Sequence, residues 1–333
     1  MKSPSGQKTG ESATIPPKPQ TQALEKEAPG QREKEIKMLS LKRSLRTVLV
    51  AVLALSAFHV YSAQQSQPQA PPLTVEKVRG DIYLVKGGMG ANTGFFITDK
   101  GVLAIDAKMT ADASKQEVAE IAKLTSQPVS IMILTHSDGD HVNGLNGFAP
   151  GITVYAHLQT KKDMEAAFQD LALQALKAYL PTLTFSDSGS VTIGGQTVDL
   201  LHFGPAHTSG DAVVYFPKDK VAFVGDLVFL GRDPLIHLKK GGSSFGLVKT
   251  LKSILKLDAD VFVPGHGDQL GKPQIEALVK SIQDRQTKVQ ALVAEGKTLE
   301  DVKKAFNIND AAAPGRRWPS LVEIIYQELT EKK

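Results

Sequence analysis

Four short apolar segments in this sequence are each followed by a turn that contains glycine or proline and carries His or Asp. The richest turn follows residues 129–134, and its residues 136–141 hold two imidazoles and two carboxylates. Similar turns follow residues 197–203, 221–224 and 261–263. Apolar runs of this length, bounded by glycine or proline, are typical of buried β-strands. The pattern therefore predicts a fold in which polar side chains collect where several strands end.

The rest of the chain places these strands in two groups, each followed by helices. Residues 98–101 and the pair Gly194 and Gly195 each separate two strand-like runs, which indicates a β-hairpin. Further strands are predicted at 82–86, 152–156 and 212–216, and helices at 111–124, 168–179, 246–257, 274–294, from 298 and at 319–332. This order predicts an α/β fold in which two sheets pack face to face with helices outside.

The composition excludes several kinds of chemistry. The 333 residues include no cysteine, which excludes disulfides, thiolate metal ligands and a cysteine nucleophile. The formal net charge of +4 originates in the N-terminal part, because residues 1–63 hold ten Lys and Arg but five Asp and Glu. Residues 64–333 then hold 29 basic and 30 acidic side chains, so we expect no nucleic-acid partner.

The N-terminal part has the composition of a leader. Residues 1–37 are rich in Lys, Glu, Gln, Pro and Ser and predict a disordered extension. Residues 38–63 combine a basic start, an apolar centre and small residues at the end, which predicts a signal peptide or, if it is not cleaved, a membrane anchor. Residues 64–73 predict a linker rich in Gln and Pro, and residues 74–333 the folded domain.

This layout predicts an exported protein, either periplasmic or extracellular, or one that is anchored to the inner membrane. It favours Met38 as the true start of the chain. Contact with the membrane is expected only through residues 47–63, and only if the leader is retained.

The spacing within residues 136–141 suits metal binding. In an extended segment residues i and i+2 lie on one side, so His136 and Asp138 can share one ion. Asp140 and His141 are neighbours and reach one centre only from a turn, which Gly139 permits. The outcome is either two ions side by side, or one ion and a spare carboxylate.

If the four turns converge on one edge of the sandwich, they bring together seven candidate metal ligands. Imidazole and carboxylate groups suit Zn²⁺, Fe or Mn²⁺, and we expect one or two divalent ions per chain. The candidates are His136, Asp138, Asp140, His141, His207, Asp226 and His266.

These residues resemble the pattern of the metallo-β-lactamase superfamily, which is His-x-His-x-Asp-His, a later His, an Asp, and a last His beside Gly. The resemblance covers about residues 74–270 and implies a four-layer αββα sandwich with two mixed β-sheets. It implies a first ion at His136 and His207, a second at Asp140, His141 and His266, and Asp226 as a bridge. An Asp in that position is more similar to glyoxalase II and the general hydrolase branches than to zinc β-lactamases with Cys.

Asp138 departs from the family pattern, which has a second His at this position. Three carboxylates and a bridging hydroxide balance two divalent ions, whereas a His at 138 would leave one net positive charge. The harder, more negative ligand set predicts a weaker preference for zinc at the first site, with Mn²⁺ or Fe²⁺ competitive. We expect Asp138 to be a ligand; the alternatives are a carboxylate that orients a ligand His, or loss of one site.

The resemblance implies a metallohydrolase, in which a metal-bound hydroxide cleaves an amide, an ester or lactone, or a thioester of a small-molecule substrate. Asp140 is the candidate catalytic residue, because it would orient the nucleophile and move its proton to the leaving group. The loops at 158–185 and 229–246 are expected to select the substrate. Two alternatives are a catalytically weak metal- or ligand-binding protein with a degenerate first site, and a di-iron oxidoreductase on the same fold.

Five other polar residues lie outside the ligand pattern. Hydrogen-bonded structural roles are expected for His157, His202, Asp106 and Asn92. For His237 a structural role is also expected, and its neighbouring lysines make it a candidate for lining the substrate cleft.

Overall fold

The computed structural model describes residues 71–308 and 318–331, and residues 30, 33–34, 37–45, 48–49 and 52 of the N-terminal part. The chain divides into two units, Met1–Gln69 and Ala70–Lys333. In the first unit, residues 37–45 are helical. Within the described residues, no helix is long and apolar enough to span a bilayer. The predicted extension, leader and linker lie mostly outside the described residues, and the domain limits stay predictions.

The larger sheet of the second unit has seven strands, which lie side by side in chain order. They are Thr74–Arg79 (β1), Ile82–Lys86 (β2), Thr93–Thr98 (β3), Gly101–Ile105 (β4), Val129–Ile133 (β5), Thr153–His157 (β6) and Leu183–Phe185 (β7). Strands β1 to β4 pair antiparallel, and β4 to β7 pair parallel. The predicted hairpin between β3 and β4 is present, with Gly101 at φ +134°, a conformation that favours glycine.

The smaller sheet has five strands in the spatial order β12-β11-β10-β9-β8. They are Ser188–Ile193 (β8), Gln196–Leu201 (β9), Val213–Phe216 (β10), Val221–Gly225 (β11) and Val261–Pro264 (β12). Only β11 and β12 pair parallel among these described strands, so both sheets are mixed. The predicted turn at Gly194 and Gly195 joins β8 to β9.

The two sheets pack face to face around an apolar core. Phe96 of β3 and Phe216 of β10 meet edge to face across this core, with ring centroids 5.5 Å apart. Met132 and Ile133 are neighbours in β5 but belong to different apolar clusters, because successive side chains of a strand point to opposite faces. Ile133 faces the other sheet and Met132 faces the outer helices. The predicted four-layer αββα sandwich with two mixed sheets is confirmed.

Helices cover the outer faces of both sheets. The α-helices are Ala111–Leu124, Gly139–Val142, Leu158–Ala167, Ser244–Ile254, Lys272–Ala294, Leu299–Ala305 and Leu321–Thr330. Short 3₁₀ segments lie at Leu145–Gly147, Leu171–Tyr179 and Leu238–Lys240. Thr110 begins the first of these helices by accepting a hydrogen bond from Ala113 N, as is usual for a threonine cap.

One predicted helix, at residues 168–179, is wrong. The α-helix here is Leu158–Ala167, and the apolar residues that follow form the 3₁₀ segment Leu171–Tyr179. Asp170 starts that segment anew, because its side chain accepts a hydrogen bond from a backbone N–H two residues later. The apolar pattern correctly indicated that Leu176 is buried, but not the type of helix that buries it.

Candidate metal centre

The structure brings all seven predicted ligand residues to one end of the sandwich. They lie on loops that follow β5, β9, β11 and β12. Backbone hydrogen bonds join these loops: Ala212 N donates to Thr135 O, and Gly265 N donates to Gly225 O. Side chains that are far apart in the sequence are therefore held on one rigid edge.

The loop after β5 contributes four of the seven residues and turns into a single helical turn, Gly139–Val142. This turn lets the neighbours Asp140 and His141 face the same centre. Gly139 does not have a positive φ here. A Cβ at this position would lie 2.6 Å from Asn143 Nδ2, the end of a side chain that can turn aside.

His136, Asp138 and His207 form the first group of potential ligands, with their ligand atoms within 4.8 Å of one another. Asp138 Oδ2 lies 3.1 Å from His207 Nε2 and 3.8 Å from His136 Nε2. The two imidazole rings are perpendicular, with centroids 4.7 Å apart. This group corresponds to the first ion of the family pattern, with Asp138 where the family has His.

Asp140, His141 and His266 form the second group. His266 Nε2 lies 3.1 Å from Asp140 Oδ2 and 3.5 Å from Asp226 Oδ2. Asp226 Oδ1 lies 3.2 Å from His141 Nε2, and Asp226 also forms a third group with His136 and His141. Asp226 therefore lies where a carboxylate could bridge two ions.

Three of the imidazoles are held from behind through Nδ1. His141 Nδ1 lies 2.8 Å from Asp106 Oδ2, and His207 Nδ1 lies 2.9 Å from the Leu235 carbonyl oxygen. His136 Nδ1 lies 3.0 Å from Thr135 Oγ1, which itself donates to Asp106. Such contacts fix the ring and direct Nε2 towards the centre, as is usual for histidines that bind metal.

The buried polar atoms at the centre fit a bound cation. Within the described residues, His136 Nε2, His141 Nε2 and Asp226 Oδ1 are buried and make no hydrogen bond. Buried polar atoms are almost always hydrogen-bonded, so three such atoms in one cluster need another partner. A divalent ion is a partner for both imidazole nitrogen and carboxylate oxygen.

The ligand groups also perturb one another's protonation. Burial lowers the pKa of His207 and of His266, but the neighbouring carboxylates outweigh it and raise each pKa to about 9. Asp138 acts on His207, and Asp140 and Asp226 act on His266. Burial holds the pKa of His136 well below its usual range. A metal ion would therefore displace protons from His207 and His266 at neutral pH.

Asp138 has two further partners that the sequence did not reveal. His237 Nε2 lies 2.7 Å from Asp138 Oδ2 but is not aligned for a hydrogen bond, whereas Lys240 Nζ donates one to Asp138 Oδ1 at 2.7 Å. The His237 ring also makes T-shaped contacts with the rings of His207 and Trp318. The basic residues His237, Lys239 and Lys240 were visible in the sequence, but nothing in it indicated that two of them face Asp138.

The remaining polar residues support the loops. Asn92 Nδ2 donates to Pro264 O at 3.0 Å and to Gly267 O at 2.8 Å, which ties the β2–β3 loop to the turn that carries His266. His157 and His202 stack on each other with centroids 4.0 Å apart, outside the three ligand groups.

Comparison with known proteins gives a family match over most of this region. The sequence profile of the metallo-beta-lactamase superfamily matches residues 87–266. The 2,4-dinitroanisole O-demethylase subunit alpha of Nocardioides sp. is 27% identical over 209 residues, or 62% of this chain. The linear primary-alkylsulfatase of Pseudomonas sp. is 25% identical over 56% of it. The chain spans 61% and 43% of the lengths of these two relatives.

A third relative and two solved structures match across nearly their whole length. The metallo-beta-lactamase type 2 of Elizabethkingia meningoseptica is 24% identical, over 75% of this chain and 99% of that protein. The structure of a metallo-beta-lactamase from Pontibacter korlensis superposes with a TM-score of 0.55 at 21% identity, over 64% of this chain and 99% of its own. The structure of the DIM-1 metallo-beta-lactamase superposes with a TM-score of 0.54 at 19% identity, over 65% of this chain and 99% of its own. These structures share the sandwich fold.

Proposed function

Because the chain belongs to the metallo-β-lactamase superfamily, we propose that it is a metal-dependent hydrolase that acts on a small-molecule substrate. The observation that carries the proposal is the cluster of buried ligand atoms at one edge of the fold, three of which have no hydrogen-bond partner within the described residues. Relatives in the family include a β-lactamase and an alkylsulfatase, both named as hydrolytic enzymes.

Two divalent ions fit the donor groups. His136, Asp138 and His207 would hold the first, Asp140, His141 and His266 the second, and Asp226 would contact both. Bound there, the ions would lower the pKa of a coordinated water towards ~7 and polarise the bond under attack. Zinc is the proposed metal, and Mn²⁺ or Fe²⁺ are the alternatives that the carboxylate-rich set also accepts.

Asp140 is the proposed catalytic carboxylate. Its side chain is a quarter exposed, whereas that of Asp226 is almost fully buried, so Asp140 is the acid of the second group that a substrate can approach. Burial raises its pKa, but the contacts with His266 and His141 outweigh this and lower it, which keeps the carboxylate ionised. It would receive the proton of the attacking water and pass it to the leaving group.

The substrate is selected by the loops around the ligands. The 229–246 segment brings His237 and Lys240 to Asp138, so it borders the first group directly. The helix Leu158–Ala167 approaches the loop that carries Asp138, because Asp163 accepts a hydrogen bond from Ser137 Oγ. We propose an amide, an ester or lactone, or a thioester as the bond that is cleaved.

The test is a hydrolysis screen of the full chain, loaded with zinc, against β-lactams, lactones, thioesters and alkyl sulfates. His141→Ala and His266→Ala should each lose metal and abolish turnover. His157→Gln, which removes an imidazole outside the ligand groups, should keep both. Metal-dependent turnover that survives the loss of His141 and His266 would exclude this site as the catalytic centre.

We also propose that the protein is exported, on the basis of the leader-like sequence at residues 38–63 alone. Sequencing the N terminus of the protein isolated from its native cells, after fractionation, tests this proposal. A mature chain that begins between residues 60 and 75 in a non-cytoplasmic fraction would support cleavage, and an intact leader in the membrane fraction would support an anchor.

A further inference from the structure

Asp138 and Lys240 form an ion pair at the position where the family pattern has a neutral imidazole. An aspartate in place of that histidine adds one negative charge to the ligand groups. Lys240 Nζ lies 2.7 Å from Asp138 Oδ1, close enough to offset that charge locally. The pair is mostly shielded from water, since the Asp138 side chain is 14% exposed and that of Lys240 is 31% exposed.

The two oxygens of Asp138 have different surroundings. Oδ2 faces the imidazoles, at 2.7 Å from His237 Nε2, 3.1 Å from His207 Nε2 and 3.8 Å from His136 Nε2. Oδ1 faces Lys240, which also donates to Ser137 O at 3.2 Å and to Ser137 Oγ at 3.1 Å. Lys240 therefore lies behind the carboxylate and does not take the place of the ion. Oδ2 is therefore the oxygen that faces the two ligand imidazoles, whereas the charge of Lys240 acts at Oδ1.

The backbone of Lys240 is fixed to the loop that carries His207. Lys240 O accepts hydrogen bonds from Ser209 N and Ser209 Oγ, and His237 N donates to His207 O. Gly241, at φ +70°, ends the 3₁₀ turn that presents the lysine. A surface lysine is usually mobile and its ion pairs contribute little, but a lysine anchored in this way holds its charge at one place.

We propose that Asp138 and Lys240 act as one unit that replaces the family's second imidazole. Asp138 is the ligand, and Lys240 is the positioning residue whose positive charge cancels the negative charge of Asp138, so that the pair is neutral like the imidazole. The inference rests on the proposed metal centre and adds Lys240 to it. It also changes the charge count of the centre, which returns to the value that a histidine at 138 would give. The first site should then hold zinc in the manner of a site with three neutral donors.

The proposal predicts that the two positions depend on each other. Asp138→His alone would leave the Lys240 ammonium beside the first ion without a counter-charge, so zinc affinity should fall. In a Lys240→Met background the same change would create the neutral arrangement of the family pattern, so the loss should be largely absent. Two residues that act as one unit show such non-additive effects.

The test is a double-mutant cycle of Asp138→His and Lys240→Met in the full chain, with zinc affinity and zinc equivalents measured by competition with a chromophoric chelator. We expect Asp138→His to weaken zinc binding by about tenfold or more with Lys240 present, and by about threefold or less with Met at 240. Lys239→Met, in the exposed neighbour of the same turn, is the matched control and should leave zinc binding unchanged.

Thermal unfolding of the metal-free chains checks that each variant folds. If the Asp138→His variant does not fold, Asp138→Asn takes its place in the double-mutant cycle. Equal effects of the Asp138 change in both backgrounds, in a chain that binds zinc, would overturn this inference and leave the proposed function standing. An unaltered chain that binds no zinc would overturn the proposed function and the inference with it.

Discussion

Asp106 Oδ2 lies 2.8 Å from His141 Nδ1, and the same carboxylate accepts hydrogen bonds from the backbone N–H and the hydroxyl of Thr135. Asp106 is buried and has φ +59°, an unusual conformation for a residue other than glycine. It lies directly after β4, beside the strand that leads to the ligand loop. One carboxylate therefore fixes both His141 and the residue that contacts His136.

Asp106→Asn should weaken metal binding without unfolding the protein. Asn tolerates the left-handed backbone and keeps one acceptor, but it removes the charge that holds the proton on His141 Nδ1. We expect zinc affinity to fall by about 10- to 100-fold, measured by competition with a chelator. Asp99→Asn, at the exposed hairpin turn, is the control, and an equal loss in both variants would contradict a specific role.

The stability of the metal-free chain should fall as pH rises from about 6.5 to about 9. His207 and His266 have pKa values of about 9 in the folded chain, above the ordinary value of 6.5. A raised folded pKa stabilises the fold fully below the unfolded pKa, and this stabilisation is lost as pH rises through the folded pKa. Thermal unfolding of the chelator-treated chain across this range measures the effect.

The zinc-loaded chain provides the comparison for that pH series. Bound ions would hold both imidazoles deprotonated throughout, so its melting temperature should lack this particular decline. His266→Gln in the metal-free chain should reduce the slope. A metal-free profile that is flat or rises between pH 6.5 and 9 would show that the two imidazoles are not held protonated by their neighbours.

The sequence predicted the inner strands of both sheets but missed the two edges of the larger one. β5, which has neighbours on both sides, is apolar at four of its five positions. The edge strand Thr74–Arg79 contains no fully buried residue, and the other edge, Leu183–Phe185, is three residues long. Such strands have little apolar pattern of their own, because pairing with the neighbouring strand determines them.

The residues of the site divide in the same way, into those that the sequence predicts and those that it does not. The candidate ligands could be read from the sequence because each lies in a turn that follows a strand and contains glycine or proline. His237 and Lys240 follow no strand or α-helix directly, and their positions depend on backbone hydrogen bonds to the His207 loop. Those contacts join residues about 30 positions apart and have no periodic signal. The partners of Asp138 could therefore be identified only from the three-dimensional arrangement.

Gly265→Ala should disrupt the centre through crowding alone. A Cβ at this position would lie 2.7 Å from His141 Cε1 and would also clash with Asp226. Both side chains are buried, so they have little room to move, and overpacking of this kind costs roughly 1–3 kcal/mol of stability. We expect a lower melting temperature and fewer zinc equivalents per chain. Gly271→Ala, where a Cβ would have ordinary contacts, is the control for zinc binding and should keep the full zinc equivalents, although Ala at this helix N-cap should lower the melting temperature slightly.

His237→Phe should weaken the first ligand group while preserving the packing of the ring. His237 Nε2 lies 2.7 Å from Asp138 Oδ2, and the ring contacts His207 and Trp318, so Phe keeps the shape but removes the polar contact. Partners that orient a ligand carboxylate typically contribute about tenfold or more to metal affinity. After dialysis against a weak chelator, the variant should retain fewer zinc equivalents than the unaltered chain. His157→Phe, the same change in a ring that stacks on His202, should retain as many as the unaltered chain. If both variants keep the full amount, the His237 contact does not support the first site.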